Sequence, residues 1–381
     1  MTNVDASADA SLDEHGRLNG RLHVFVAFDW GDEVNLELAR KQGAGVVLDM
    51  VRRPRTPQSI AYRPPPLRFP LGPIAIGMPG MTGTVIRSAE ATVFDFAGVS
   101  VAMQFPFSLP SDDLRELAAR LNEPATATQI MQTARAALEP LYHKLLPAIT
   151  RPAWADQFWE EYFVFLLPPA ASVAPDVLLA DRRDWLSGLL RLEDQALSSQ
   201  EVAEALRLFL RYGNDDIFIP DWGAAVLVDR EGESTETLQA IEFANLQLLE
   251  YRHIDQRLDG VLVQADDLLR RVGRSRLPLW RGHQGPLRQL GELRVEANGL
   301  FERTGNVLKL VGDQYIARVY RLLATRFHLP EWEKGIQRKL EVLEGVYQVI
   351  SHQSSDFRSE FLEVIVVLLI LIEVILSLTR H

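Results

Sequence analysis

The sequence contains no cysteine among its 381 residues. This absence excludes disulfide bonds, thiolate ligation of zinc or of an iron–sulfur cluster, and a cysteine nucleophile. A positive charge excess is also lacking, because 51 Asp and Glu residues outnumber 40 Lys and Arg residues and leave a formal net charge of −11. A general nucleic-acid binder needs a positive face to neutralise phosphates, so this composition argues against that class of protein.

Familiar catalytic motifs are missing as well. The sequence has no Walker loop, no dinucleotide-binding glycine pattern, no HExxH and no GxSxG. Its histidines are scattered, and none lies at a metal-ligand spacing from His253. We therefore predict no catalytic residue, no metal site and no cofactor. A non-enzymatic protein is favoured, while an enzyme stays open as the alternative.

In residues 1–20 the acidic residues outnumber the one basic residue, Arg17, and there is no continuous apolar stretch. This composition fits neither a secretory signal nor an arginine-rich transit peptide. We predict a disordered leader over 1–20, and we expect the soluble part of the protein in the cytoplasm.

Residues 21–230 alternate strand and helix patterns. Strand patterns occur at Arg21–Phe28 and Trp159–Leu167, and Thr92–Phe105 is typical of a hairpin in which Gly98 supplies a positive φ. Helical spacing covers 32–41, 111–121, 126–146, 176–192 and 199–212. Two further short strands flank Trp222 and Gly223. We predict one mixed α+β domain over 21–230.

From Thr237 onward the apolar residues fall three and four apart, which is coiled-coil spacing. We predict a long antiparallel helical stalk over 237–356, with its second helix ending before Pro330 and a third helix beginning near Glu331. Polar residues of this stalk are predicted to form a network between helices: Glu242, Asn245, Glu250, Arg252, His253, Asp255, Asp313 and Arg318. Such residues commonly fix helix register; metal binding or acid–base chemistry is the alternative.

A basic loop interrupts the stalk at 270–291. It contains Arg270, Arg271, Arg274, Arg276 and Arg281 without any acid up to Arg288. We expect these arginines to contact lipid headgroups or phosphate at a membrane surface. A solvated loop, or one that binds RNA, is the alternative.

The end of the chain is strongly apolar. Residues 361–378 read FLEVIVVLLILIEVILSL and span about 27 Å as a helix, close to the roughly 30 Å hydrocarbon core of a bilayer. We predict a C-terminal membrane anchor over 357–378, marked by Phe361, Leu362, Glu363, Leu368, Leu371, Glu373 and Leu378. A buried oligomerisation helix is the alternative.

Three patches carry a resemblance to a known family. They are VFDFAGVSV at 93–101, WEKGIQRKLEVLEGVY at 332–347 and LEVIVVLLILIE at 362–373. In these patches the chain resembles the "required for meiotic nuclear division" proteins and their bacterial relatives of unassigned function. The resemblance implies a membrane-anchored protein with an α+β head and a helical stalk. Eukaryotic members are mitochondrial inner-membrane proteins that support organelle translation, and no catalytic residue carries over.

These observations together predict an α+β fold: a mixed α/β N-terminal domain followed by a long antiparallel helical stalk that ends in a C-terminal transmembrane helix. The expected function is a non-enzymatic, tail-anchored scaffold or assembly factor of the inner membrane, single-pass and homo-oligomeric, with a cytoplasmic head. Its protein or ribonucleoprotein partner is not identified by the sequence. The alternative is an enzyme or ligand sensor with a pocket around Asp221, Trp222 and Asp229.

Overall fold

The computed structural model describes residues 17–43, 46–47, 65–77, 85–154, 158–230, 232–274, 295, 298–299, 314–346, 348 and 370. Contacts between Cα atoms divide the chain into two compact units. The first unit comprises Met1–Tyr251 and Glu302–Pro330, and the second comprises Arg252–Phe301 and Glu331–His381.

The strands belong to the first unit. They are β1 (Leu18–Asp29), β2 (Glu33–Val34), β3 (Val46–Val47), β4 (Leu67–Ala75), β5 (Val85–Val93), β6 (Gly98–Leu109), β7 (Ile149–Thr150), β8 (Trp159–Leu167), β9 (Ile217–Pro220) and β10 (Ala224–Val228). Eight of them form one sheet in the order β3-β4-β5-β6-β1-β8-β10-β9, and β2 pairs with β7. The large sheet is mixed, since β8 and β10 run parallel while its other neighbours are antiparallel.

The helices are α1 (Leu36–Gly43), α2 (Ser111–Leu121), α3 (Pro124–Leu145), α4 (Pro175–Ala180), α5 (Arg183–Arg191), α6 (Ser199–Ala205), α7 (Thr235–Arg274), α8 (Gln314–Arg326) and α9 (residues 329–346). Helix α7 begins in the first unit and continues into the second.

Side-chain alternation along β1 separates the two faces of the sheet. Leu22, Val24, Val26 and Phe28 belong to the main apolar core, to which α1, α2, α3 and α5 contribute their buried residues. We call this side of the sheet the apolar face. The opposite side includes Ala27 and is covered by α7 and α8; we call it the α7 face.

Aromatic contacts show how α7 and α8 cover their face. The ring of Phe94 lies 6.0 Å from that of Phe243 on α7, and the ring of Tyr162 on β8 lies 5.2 Å from that of Phe327 just after α8. Tyr320 of α8 contacts Phe243 at 6.0 Å and donates a hydrogen bond to Gln247. Because the first turns of α7 lie between the sheet and α8, nearly all of their side chains are buried.

In the second unit, Lys339 of α9 joins two acids of α7. Its Nζ lies 2.8 Å from Asp255 Oδ1 and 2.6 Å from Asp259 Oδ1. These hydrogen bonds and charges outweigh the effect of partial burial and raise the pKa of Lys339. The ammonium group therefore fixes the register between the two helices.

The predicted membrane anchor requires correction. Among the residues that the structure describes, no helix is long and apolar enough to cross a membrane. This finding contradicts the predicted transmembrane helix, and with it the fold class, the membrane partner and the single-pass inner-membrane localisation that depend on it. The longest described helix, α7, has charged residues distributed along its sequence. Of the predicted anchor over 357–378 the structure describes Ile370 alone, and Phe361, Leu362, Glu363, Leu368, Leu371, Glu373 and Leu378 lie outside the described part of the chain.

Several element boundaries also differ from the prediction. The positive φ of the β5–β6 hairpin belongs to Ala97, at 64°, and not to Gly98. The helix predicted over 176–192 is two helices, α4 and α5, and the one predicted over 199–212 ends at Ala205. Helix α7 continues to Arg274, so Arg270, Arg271 and Arg274 are helical and do not begin a loop.

Candidate functional site

A pocket of about 90 Å³ lies at one end of the β9–β10 hairpin in the first unit. Its lining residues are Tyr212, Asp216, Asp229, Glu233, Glu236, Thr237, Tyr315 and Ile316. Four of the eight are carboxylates and none is basic, so we call it the acidic pocket.

The hairpin register brings two of these acids together. Ile217 at the start of β9 pairs with Val228 at the end of β10. Asp216 precedes the first strand and Asp229 follows the second, so both carboxylates lie at the same end of the hairpin. Glu236 stands in the first turn of α7, where a helix N-terminus favours negative charge.

Asp216 also shapes the loop beside the pocket. Its carboxylate accepts hydrogen bonds from the backbone N–H of Tyr212, at 2.7 Å, and of Gly213. This turn holds Tyr212 so that its ring lies edge-on to Tyr315, with 5.4 Å between the ring centroids. The Tyr212 side chain remains 76% exposed. The mouth of the pocket therefore offers an accessible aromatic ring beside a group of carboxylates.

Nearby arginines are held by acids outside the pocket lining. Arg211 lies 2.9 Å from Asp176 and donates to the carbonyl of Asn214. Arg230 lies 3.9 Å from Asp215. The lining itself contains four acidic side chains and no basic one. Within the described residues no cluster of His, Cys, Asp and Glu has the geometry of a metal site.

The predicted pocket around Asp221, Trp222 and Asp229 is only partly brought together. Asp229 lines the acidic pocket, whereas Asp221 is buried in an ion cluster with Arg191, at 3.2 Å, and Arg326, at 3.8 Å. Burial raises the pKa of the Asp221 carboxyl despite these two guanidinium groups. Arg191 Nε and Asp221 Oδ2 lie 3.2 Å apart as an ion pair but do not form a hydrogen bond of ordinary geometry. Trp222 is 48% exposed.

Arg326 explains why the Asp221 cluster is structural. Its guanidinium donates to the carbonyls of Pro220, Glu204 and Ala205 at 2.7–3.1 Å and pairs with the Glu204 carboxylate. These bonds join the end of α8 to α6 and to the β9–β10 turn. A guanidinium with this many protein acceptors is an anchor between elements.

A second polar group lies between the sheet and α7. It comprises Arg68, Glu90, Thr92, Ser100 and Glu160 from the sheet together with Glu242 and Asn245 from α7, and we call it the polar seam. Asn245 Nδ2 donates to the backbone carbonyl of Glu160 at 3.3 Å, and Arg68 Nη1 lies 3.3 Å from Glu90. The charged group that affects Glu242 most strongly is Arg68. The sequence predicted such partners on another helix, and the structure places them on the sheet.

The other predicted network residues lie in several places. Glu250 is buried in the first unit, while Arg252, His253 and Asp255 belong to the second unit. Arg318 is exposed on α8, and Asp313 lies outside the described residues. For Arg270, Arg271 and Arg274 the structure describes the backbone only, and Arg276 and Arg281 lie outside its described ranges.

Sequence reasoning did not select most of the acidic pocket. The lining residues are distributed over a turn, a hairpin end and the first turns of two helices. One local signal was available: acids of the segments 212–216 and 229–236 stand immediately beside strand ends and a helix start. Their convergence depends on the pairing of β9 with β10.

Comparisons with known proteins give a family but no activity. Residues 19–235 match the family model described as uncharacterized protein MJ0711, N-terminal domain. The chain is also similar to the uncharacterized protein MJ0711 of Methanocaldococcus jannaschii, with 27% identity over 230 residues that cover 59% of this chain and 68% of the relative. No solved structure matches the chain. The prediction of an uncharacterised family is confirmed, and neither description mentions meiotic nuclear division.

Proposed function

The chain belongs to the family described as uncharacterized protein MJ0711, N-terminal domain, and we propose that it is a non-enzymatic adaptor whose acidic pocket binds an arginine or lysine side chain of a protein partner. The observation that carries this proposal is the pocket lining, which combines four carboxylates with the exposed ring of Tyr212. Carboxylates attract a cation through charge, and an aromatic face adds a cation–π contribution.

Pocket size favours a side-chain end over a complete small molecule. Typical cofactor and drug-sized sites enclose about 300–1,000 Å³, whereas this pocket encloses about 90 Å³. A guanidinium or ammonium group with part of its methylene stem fits such a volume. The remaining contacts would then come from the partner's surface around the pocket mouth.

The lining chemistry favours binding over catalysis. Among the residues that line the pocket there is no histidine, lysine, serine or cysteine, so the lining contains no Ser–His or Cys–His pair and no lysine nucleophile. The Asp216 carboxylate accepts two backbone hydrogen bonds in the loop, and the Asp229 carboxylate accepts one, from the N–H of Arg230 at 2.7 Å. Asp229, Glu233 and Glu236 are the residues that we expect to face the cation.

Binding of blocked amino acids tests the proposal directly. We expect N-acetyl-arginine amide and N-acetyl-lysine amide to bind in isothermal titration calorimetry, more weakly as salt increases, while the neutral isostere N-acetyl-citrulline amide does not. Each of Asp229→Asn and Glu233→Gln should weaken Kd about two- to fivefold, in line with about 0.5–1 kcal/mol for a solvent-accessible charge pair. Glu139→Gln on exposed α3 should leave Kd unchanged. Equal binding of the citrulline compound would contradict the proposal.

The second candidate function is a sensor of a small free amine. It uses the same pocket and the same volume, since a free alkylamine or guanidine presents the same cationic end as a side chain. Titration with agmatine separates the two. An adaptor should bind an arginine-containing peptide more tightly than agmatine, because flanking residues add contacts, and a sensor should show the reverse.

The resemblance to the "required for meiotic nuclear division" proteins stays a hypothesis about the partner. If this chain shares their support of translation, its partner is a component of the translation machinery, and many such proteins are basic. Sedimentation of cell extracts through a sucrose gradient tests the idea. Co-migration with ribosomal particles that is lost in the Asp229→Asn/Glu233→Gln double variant supports it, and absence of the protein from those fractions contradicts it.

A further inference from the structure

The α7 face of the sheet carries a row of polar residues that is interrupted at Ala27. Strand register places Arg68 opposite Thr92, Thr92 opposite Ser100, Ser100 opposite Ala27, and Ala27 opposite Glu160. Residues that are paired across neighbouring strands project from the same face. The row therefore crosses five strands beneath α7, where an apolar surface would be the usual support for a helix.

Helix α7 lies close to this row. Glu242 is 3% exposed and Asn245 1%, and the Asn245 side chain bonds to the Glu160 carbonyl. At Gly98 an added Cβ would approach Leu246 Cδ2 to 2.9 Å and Phe96 Cε2 to 2.6 Å. The bare glycine therefore allows the helix to approach the end of the β5–β6 hairpin at this distance.

The hydrogen bonding of the polar seam is incomplete. Thr92 and Ser100 lie near enough to Glu242 to favour its charged form, yet Glu242 Oε1 and Ser100 Oγ make no hydrogen bond of ordinary geometry, nor does Arg68 Nε. Ser100 is fully buried. A buried carboxylate oxygen without a donor is strongly disfavoured when it is ionised and much less so when it is protonated.

The charged groups that face Glu242 come from three strands. Arg68 on β4 favours the ionised carboxylate, whereas Glu90 on β5 opposes it; Glu160 on β8 adds a further acid to the same row. The central strands contribute Ser100 and Ala27, which carry no charge. Burial dominates these effects and raises the pKa of the Glu242 carboxyl above its usual 4.5.

We propose that Glu242 is the proton-binding residue of a latch between α7 and the sheet: the neutral carboxyl keeps the first turns of α7 in place, and its ionisation loosens them. Loosening of these turns also affects the acidic pocket, because two of its lining residues, Glu236 and Thr237, precede Glu242 on the same helix by less than two turns. Protonation of Glu242 thus favours the complete pocket. This last step rests on the proposed function, whereas the latch itself does not.

Amide hydrogen exchange without any ligand tests the latch. Protection factors for residues 236–246, corrected for the intrinsic pH dependence of exchange, should fall as the pH rises from about 4.5 toward the raised pKa of Glu242 and level off above it, by at most about tenfold per pH unit for one proton. In Glu242→Gln this decline should disappear, because glutamine cannot ionise. Glu161→Gln, which removes a different buried carboxyl, should retain the decline. An unchanged decline in Glu242→Gln overturns the latch.

Arg68→Gln provides an independent variant in case Glu242→Gln does not fold. Removal of the guanidinium should raise the pKa of Glu242 further and extend the decline in protection to higher pH; a decline that ends at the same pH as in wild type overturns the latch. Calorimetry with N-acetyl-arginine amide at each pH then separates the two proposals. If the slope is lost in Glu242→Gln but the amide binds at no pH, the latch is supported and the pocket function fails.

Discussion

The two faces of one sheet are stabilised in opposite ways. On the apolar face, β1 contributes Leu22, Val24, Val26 and Phe28 to a continuous core. On the α7 face, strands β4, β5 and β6 of the same sheet carry Arg68, Thr92 and Ser100, and the helix above them contributes Glu242 and Asn245. The free energy of apolar contacts depends little on pH, whereas that of a buried polar contact depends on the protonation state of its groups. The comparison therefore assigns bulk stability to one face and adjustability to the other.

Removing a large side chain from the apolar face should have the greatest effect. Phe165 on β8 is fully buried in the main core. We expect Phe165→Ala to lower the free energy of unfolding by about 3–5 kcal/mol, through lost burial and the cavity that remains. Urea denaturation followed by tryptophan fluorescence measures this change. Because the lost contacts are apolar, the difference from wild type should be the same at pH 5 and at pH 8, and a strong pH dependence would contradict the comparison.

Glu161 tests the comparison from the other direction, since it is a titratable group on the apolar face, paired across from Val26. Burial raises the pKa of its carboxyl from 4.5 to about 7. The folded state therefore binds a proton more tightly than the unfolded state, so stability from this group is complete below pH 4.5 and is lost as the pH rises toward 7.

Substitution of Glu161 by glutamine should remove this loss of stability at higher pH. At pH 8 we expect Glu161→Gln to be more stable than wild type by about 3 kcal/mol at most, the equivalent of a shift of about 2.5 pH units. The two proteins should converge as the pH falls below 4.5. Thermal unfolding across this pH range provides the measurement, and parallel curves for the two proteins would show that Glu161 does not titrate in the folded state as proposed.

A third substitution examines how closely α7 approaches the sheet. We expect Gly98→Ala to cost about 1–3 kcal/mol, because the new methyl group would overlap Leu246 and Phe96. Gly260→Ala is the control for Gly98→Ala, because an added Cβ at Gly260 on α7 meets no other atom. Gly232→Ala is less suitable as a control, because the φ of 88° at Gly232 would strain an alanine. Hydrogen exchange should report the Gly98→Ala effect in the first turns of α7.

Local patterns predicted much of the sheet. The strand expected over 159–167 is β8 itself, and the one expected over 21–28 lies within β1. Aromatic and β-branched residues at these positions suit a pleated, buried surface, so each segment carries its own evidence. The split between α4 and α5 and the early end of α6 were missed, because a helical spacing continues through residues that tertiary packing uses as turns.

The candidate site was less accessible to sequence reasoning. Glu242 and Asn245 were selected as polar residues on a buried helix, and their burial agrees with that selection. Their partners on the sheet are more than 80 residues away along the chain for Glu160 and farther still for Arg68. Nothing in local spacing joins such positions. The same reason explains why Tyr212 and Tyr315 were not connected before their rings were seen 5.4 Å apart.

The sequence by itself excluded cysteine chemistry, because it contains no cysteine, and it indicated the positions of strands such as β1 and β8, because strand patterns depend on residue identity and near neighbours. Only the tertiary structure decided that α7 lies on a polar row and that four acids converge on one pocket. Strand order and register bring distant residues together, and the free energy that selects them is the burial of the whole sheet.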